Sequence, residues 1–225
     1  MNTQGGPVRN ECAEVIGTDG KPRCGWASAD PLYEKYHDRE WGRPLRDDRA
    51  LFELLTLEGC QAGLSWITVL RKRPAFRAAF RGFDLEQVAS FGEVDVQRML
   101  GDAGIIRHRG KIESAINNAR RAIDLLGEFE TLFDFVAQFA DHRGHRVRPT
   151  DELRATSPES TALSKELKRR GWSFVGPTTM YAFLQAMGLV DDHVDGCADN
   201  RMAREGARRA NASSISSGKS AMAKA

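Results

Sequence analysis

The 225-residue chain has no uninterrupted apolar run of about 18 residues, which excludes an ordinary membrane-spanning helix. Its opening, MNTQGGPVRNE, lacks the apolar centre of a secretory leader, so the protein is expected to stay in the cytoplasm where it is made. Cysteine is scarce. The four present, Cys12, Cys24, Cys60 and Cys197, are expected in a reducing compartment to be ligands or buried thiols rather than disulfide partners. Charge of one sign is also missing: the net charge is +2, so the composition does not announce a polyelectrolyte surface, and any basic patch must be local. Internal repeats and strictly alternating apolar and polar stretches are absent, which argues against solenoids and extended sheets.

What remains is helical spacing. Leu51, Phe52, Leu54 and Leu55, then Ile67, Val69 and Leu70, recur at three and four residues. Further helices are expected near 73–80, 84–90, 94–100, 109–126 and 131–140. Asp47, Asp84 and Thr131 stand before apolar runs as N-caps. Residues 141–160, rich in proline and polar side chains, read as a loop, and the chain then reads as helix, tight turn, helix up to about 190. The fold class is all-α. Residues 1–22 are expected to form a disordered N-terminal tail, 23–197 a helical domain, and 198–225 a disordered basic tail with six lysines and arginines against two acids.

Two Cys and His pairs flank the helical region. Cys24 and His37 lie across a segment with Pro31, which implies a loop leading into a helix, and His193 and Cys197 are four apart in HVDGC. Two local pairs of this kind match tetrahedral Cys2His2 zinc coordination. Ordinary buried cysteines with unrelated histidines, or a Cys24–Cys197 disulfide, remain open on spacing alone. The disulfide would leave both histidines unexplained.

In ELKRRGWSFVGPTTMYAF, Gly171 suits the left-handed residue that ends one helix, and Gly176 with Pro177 launches the next, with Thr178 as a cap. Such a turn exposes backbone N–H groups near a helix N-terminus, suited to a phosphate, with Lys168, Arg169 and Arg170 beside it. An ordinary helical hairpin is the competing reading. In LTLEGCQAGLSWITVL a carboxylate, Glu58, is set in apolar sequence and followed by Gly59 and Gly63, each costing a helix roughly 1 kcal/mol. Close approach of a ligand would explain them. Trp66, with Trp26, Tyr33, Tyr36 and Trp41 from the earlier segment, supplies walls for a flat pocket with one negative charge, although core packing competes for each aromatic.

The segments RCGWASADPLYEKYHDREWG, LEGCQAGLSWITVLRKR, DAGIIRHRGKI, SKELKRRGWSFVGPTTMYAFLQAMGLV and DHVDGC together resemble the signature of the 3-methyladenine DNA glycosylase I family, bacterial alkylation-repair enzymes. The resemblance spans about 23–197. It implies a helix-hairpin-helix glycosylase fold, with Gly171, Gly176 and Thr178 at the DNA backbone. It also implies one structural zinc per chain held by Cys24, His37, His193 and Cys197, joining the N- and C-terminal segments. Glu58 would be the catalytic, base-reading carboxylate, with Tyr36 and Trp66 on the base and Trp26 and Tyr33 as pocket walls. The implied reaction is hydrolytic release of 3-methyladenine from double-stranded DNA by a monomer. GPTTMYAF contains no lysine to act as an amine nucleophile, so no strand-cleaving lyase step is expected. No role is assigned to Cys60, and none is expected for Asp191 or Asp192. A zinc-stabilised module that binds DNA without cutting is the alternative.

Overall fold

The structure, a computed structural model, describes residues 14–17, 19–141, 147–149, 151–152 and 154–199. The disorder expected of residues 1–13 and 200–225 falls outside these. The described residues begin with a strand, within a segment expected to be tail: β1 (Glu14–Ile16) pairs antiparallel with β2 (Pro22–Cys24). The all-α expectation is corrected to this extent, because three-residue strands are too short to show a period of two. At the other end Ala198, expected in the tail, donates its N–H to the Pro22 carbonyl at 2.9 Å.

Contacts group the chain into two compact units, one of Met1–Glu34, His145–Leu153 and Asp191–Ala225, the other of Lys35–Gly144 and Arg154–Val190. The first holds the hairpin, a 3-10 turn over Gly25–Ala29, and the start of α1 (Pro31–Arg39). Pro31 opens that helix, and the Asp30 carboxylate accepts from the Leu32 N–H at 2.7 Å, which satisfies one of the unpaired first-turn donors. Val147 bridges Val194, and Asp195 donates to the Val147 carbonyl at 2.8 Å, so the HVDGC segment is pinned as a tight loop rather than a helical turn.

The second unit carries the remaining helices: α2 (Asp48–Gln61), α3 (Trp66–Ala79), α4 (Leu85–Ala89), α5 (Glu93–Leu100), α6 (Arg109–Leu126), α7 (Leu132–Val136), α8 (Pro158–Arg169) and α9 (Pro177–Ala186). All three expected caps form: Asp47, Asp84 and Thr131 accept from Ala50, Gln87 and Asp134 N–H groups at 2.8, 3.1 and 3.1 Å. Helix α2 is buried from Leu51 through Cys60 except at Glu53, and packs against α3, α6, α7 and α9. The helix expected near 73 proves continuous with the one before it. Pro74 removes one ladder hydrogen bond at a cost of about 3 kcal/mol, which burial of Val69, Leu70, Phe76 and Ala79 offsets. The 141–160 loop ends early because Ser157 and Ser160 form a reciprocal cap at 2.9 and 3.1 Å and Pro158 opens α8.

The turn from α8 to α9 follows its expected outline with one change. Gly171 takes φ +82°, and Gly176, extended at φ −64° and ψ 160°, is itself the N-cap of α9. Thr178 is therefore the second residue of the helix rather than its cap. Pro177 occupies the first position, where its missing N–H loses nothing.

Candidate active site

Glu58 lies in the last turn of α2, buried, and its Oε2 has no hydrogen-bond partner among the described residues. Burial, which penalises the charged form, pushes its carboxyl up from 4.5 to about 8. No structural role accounts for a carboxyl in this state, since a Leu or Met would stabilise the helix better. Two residues after Glu58 comes Cys60, whose buried thiol is pushed up to about 12 by the same desolvation. A thiol held in this state is a poor nucleophile at neutral pH.

Helix α2 stops at Ala62, and Gly63 at φ +80° turns the chain through Leu64 and Ser65 into α3, which opens on Trp66. The indole of Trp66 and the phenol ring of Tyr36 on α1 lie 5.5 Å apart at 53°. The indole N–H is buried and donates to nothing among the described residues. Tyr36 and Trp66, with Leu54 and Leu57 of α2, flank a cavity of about 160 Å³, rimmed by the Arg73–Glu40 pair at 2.9 Å. A recess walled by two aromatic rings and rimmed by charged side chains, Arg39, Arg43, Glu53 and Arg77 among them, suits a flat polar heterocycle, and Glu58 is not among the residues that line it. Trp26 and Tyr33 belong to the first unit, where their rings make an edge contact at 5.5 Å and 78°.

Gly59 packs against the turn between α8 and α9, and a Cβ there would lie 3.4 Å from the Phe174 carbonyl oxygen, at the near edge of ordinary contact. Phe174 holds a left-handed backbone, φ 55°, which is strained for a residue with a side chain. Phe174 and Leu64, each 39% exposed, are two large apolar side chains left in solvent on these turns. The basic residues beside the turn are less available than their sequence implied. Arg169 and Arg170 are engaged by Glu166 at 2.6 and 2.7 Å, and Arg170 also by Glu128 at 2.7 Å, whereas Lys168 is exposed.

All four expected metal ligands are buried. In the first unit, His193 Nδ1 lies 3.7 Å from Cys24 Sγ and 3.5 Å from Cys197 Sγ. Zinc–sulfur and zinc–nitrogen bonds in tetrahedral geometry place such atoms about 3.6 Å apart, so this donor set fits a zinc ion. The Val194 and Asp199 N–H groups donate to Cys24 and Cys197 sulfurs at 3.5 and 3.4 Å, as suits thiolates. Cys24 and Cys197 are not joined in a disulfide. The neighbouring Cys197 thiol, then burial, hold the Cys24 thiol well above its ordinary range, and a bound cation would remove that obstacle. Gly196, at φ +94°, gives the loop the bend that returns Cys197 toward His193. In the second unit His37, on α1, donates from Nδ1 to the Asp38 carboxylate at 3.0 Å and stacks on Trp41 at 5.9 Å, the kind of carboxylate partner that orients a metal-ligating imidazole.

Sequence spacing missed Lys111 and Asn118, which α6 buries within its apolar face. The signal was present: 111, 114 and 118 are polar positions at helical spacing among Ile112, Ala115 and Ala119.

The sequence model of the methyladenine glycosylase family matches residues 26–200. DNA-3-methyladenine glycosylase 1 of Escherichia coli K12 is 53% identical over 177 residues, 78% of this chain and 95% of that one. A crystal structure of 3-methyladenine DNA glycosylase I superposes with a TM-score of 0.75 at 50% identity, covering 79% of this chain and 99% of that chain. A variant of 3-methyladenine DNA glycosylase I in complex with 3-methyladenine superposes with a TM-score of 0.74 at 34% identity, covering 79% and 97%. With a helical core and a family match across residues 26–200, this chain belongs to the methyladenine glycosylase family.

Proposed function

We propose that this protein is a monofunctional glycosylase that hydrolyses the N-glycosidic bond of 3-methyladenine in alkylated double-stranded DNA, releasing the base and leaving an abasic site. The observation that carries the reading is the buried, unpartnered carboxyl of Glu58. Methylation at N3 places positive charge on adenine while it is still joined to the sugar, so the bond is already weak and little acid catalysis is needed. Selection is the harder requirement, because the nucleotide must leave the stack at a cost of a few kcal/mol and the correct base must be kept.

Glu58 holds its proton at neutral pH in a dry site, and a cationic base beside it draws it back to the carboxylate. That carboxylate accepts from the exocyclic amine of adenine, whereas a guanine presents a carbonyl oxygen there and is repelled. Trp66 stacks on the cationic ring for about 0.5 to 2 kcal/mol, and Tyr36 closes the other side of that wall. Trp26 and Tyr33 act as further pocket walls. The N–H groups of the Gly171 to Thr178 turn, at the start of α9, hold a DNA phosphate as a helix-hairpin-helix element, and the exposed Leu64 and Phe174 offer apolar surface to unstacked bases. Without a lysine in GPTTMYAF, no amine forms a covalent bond to the sugar, and water completes the reaction.

Cys24, His193 and Cys197, with His37 as fourth ligand, would hold one zinc. Four protein ligands leave no open position, so the metal supplies stability rather than reaction chemistry. The protein acts as a cytoplasmic monomer. The test is incubation with methylated duplex DNA: free 3-methyladenine appears in the supernatant while the strand stays intact until treated with alkali. Strand breaks without alkali would refute the monofunctional assignment, and absence of the free base would refute the activity.

A further inference from the structure

The inward face of α6 carries three polar side chains, Lys111, Ser114 and Asn118, that hydrophobic packing does not explain. A buried ammonium is costly unless its hydrogens are used. Lys111 Nζ donates to the Cys60 carbonyl at 2.8 Å and the Ala62 carbonyl at 2.7 Å. These lie at the end of α2, where carbonyls lose their helical partners and the helix dipole is negative. The next residues are Gly63, Leu64, Ser65 and Trp66, so the ammonium fixes the backbone from which the base-stacking indole departs.

Two helical turns further along α6, Asn118 grips the other turn. Ser173 N–H donates to Asn118 Oδ1 at 3.0 Å, and Asn118 Nδ2 donates to the Ser173 carbonyl at 2.9 Å. Ser114 Oγ donates to the same carbonyl at 3.1 Å, and Asn117 Nδ2 donates to the Gly171 carbonyl at 2.8 Å. This grip holds the strained Phe174 and the segment entering α9. One rigid helix thus spaces the turn that carries Trp66 from the turn assigned to the DNA backbone.

We propose that Lys111 and Asn118 are positioning residues for base excision, Lys111 setting the capture of the flipped base and Asn118 setting the hold on the DNA backbone. The proposal rests on the glycosylase reading above. Neither residue touches substrate. Their separation on one helix predicts separable defects, which loss of general stability would not produce.

The test uses the full chain with methylated duplex DNA, reading the single-turnover rate of 3-methyladenine release at saturating protein and, separately, affinity for undamaged duplex. Lys111→Met is expected to slow release by about a hundredfold, the scale of a 1 Å misplacement, with affinity within about twofold of the unaltered protein. Asn118→Leu is expected to weaken affinity by about five- to tenfold, the scale of one or two hydrogen bonds, with the saturated rate within about threefold. Lys111→Arg, which keeps the donors, recovers most of the rate, and it carries the comparison with Lys111→Gln if Lys111→Met does not fold. Equal losses of rate and affinity in both variants, in step with their melting temperatures, would overturn the proposal. So would unaltered behaviour of both. An inactive unaltered protein would overturn the glycosylase reading together with it, whereas an active one with no split overturns the proposal alone.

Discussion

Glu58→Gln should stabilise the protein in a manner that depends on pH. The folded carboxyl is pushed from 4.5 up to about 8 by burial, so between those values the folded chain keeps a proton that the unfolded chain has released. Stability contributed at this site is full below pH 4.5, falls as pH rises through the interval, and levels off above 8. At about 1.4 kcal/mol per pH unit the interval amounts to a ceiling of roughly 5 kcal/mol at pH 9, and about 3 kcal/mol at pH 7. Glutamine has nearly the same shape and no proton to lose. Urea unfolding of both proteins at pH 5, 6.5, 8 and 9 isolates the effect, because every other group is shared. The variant should lie within about 1 kcal/mol of the original protein at pH 5 and exceed it increasingly to pH 8, while its rate of 3-methyladenine release falls by about a hundredfold through loss of the charge offered to the cation. Parallel stability curves across the whole range would refute the claim that Glu58 is held in a dry site.

Three further outcomes follow from the geometry. Cys197→Ala removes one of the two sulfurs facing His193 and should lower the melting temperature markedly, and elemental analysis should find one zinc per original chain and little in the variant. Gly171→Ala, at φ +82° with only Arg121 Cδ nearby at 3.6 Å, should cost about 1 to 2 kcal/mol by chemical denaturation, from backbone strain rather than a clash. Trp66→Leu should weaken capture of the methylated base while leaving affinity for undamaged duplex within about twofold, since the stacking it removes is worth only about 0.5 to 2 kcal/mol and acts on the cation alone.

Much of the fold was legible because its signals are local. Asp47, Asp84 and Thr131 each cap a helix through their own side chain, and Gly171 is needed where only glycine turns left without strain. Glu58 was legible as an anomaly, a charge inside an apolar run. The strands at 14–16 and 22–24 were not, since three residues show no period and each pairs with a residue six to ten positions away. The surroundings of Gly59 were hidden because the neighbour it packs against, the Phe174 carbonyl, is more than a hundred residues distant in sequence. Lys111 and Asn118 were hidden for the same reason: a polar residue on a helix reads as solvated until the carbonyls it satisfies, on α2 and at Ser173, are seen beside it.

The central proposal is that the buried acid Glu58, together with the rings of Tyr36 and Trp66, selects a cationic adenine. Duplex DNA methylated to contain both 3-methyladenine and 7-methylguanine, digested with the protein and resolved by chromatography of the freed bases, tests it in one reaction. The account predicts prompt release of 3-methyladenine with 7-methylguanine left in the DNA. Release of the two at equal rates, or of neither, would contradict it.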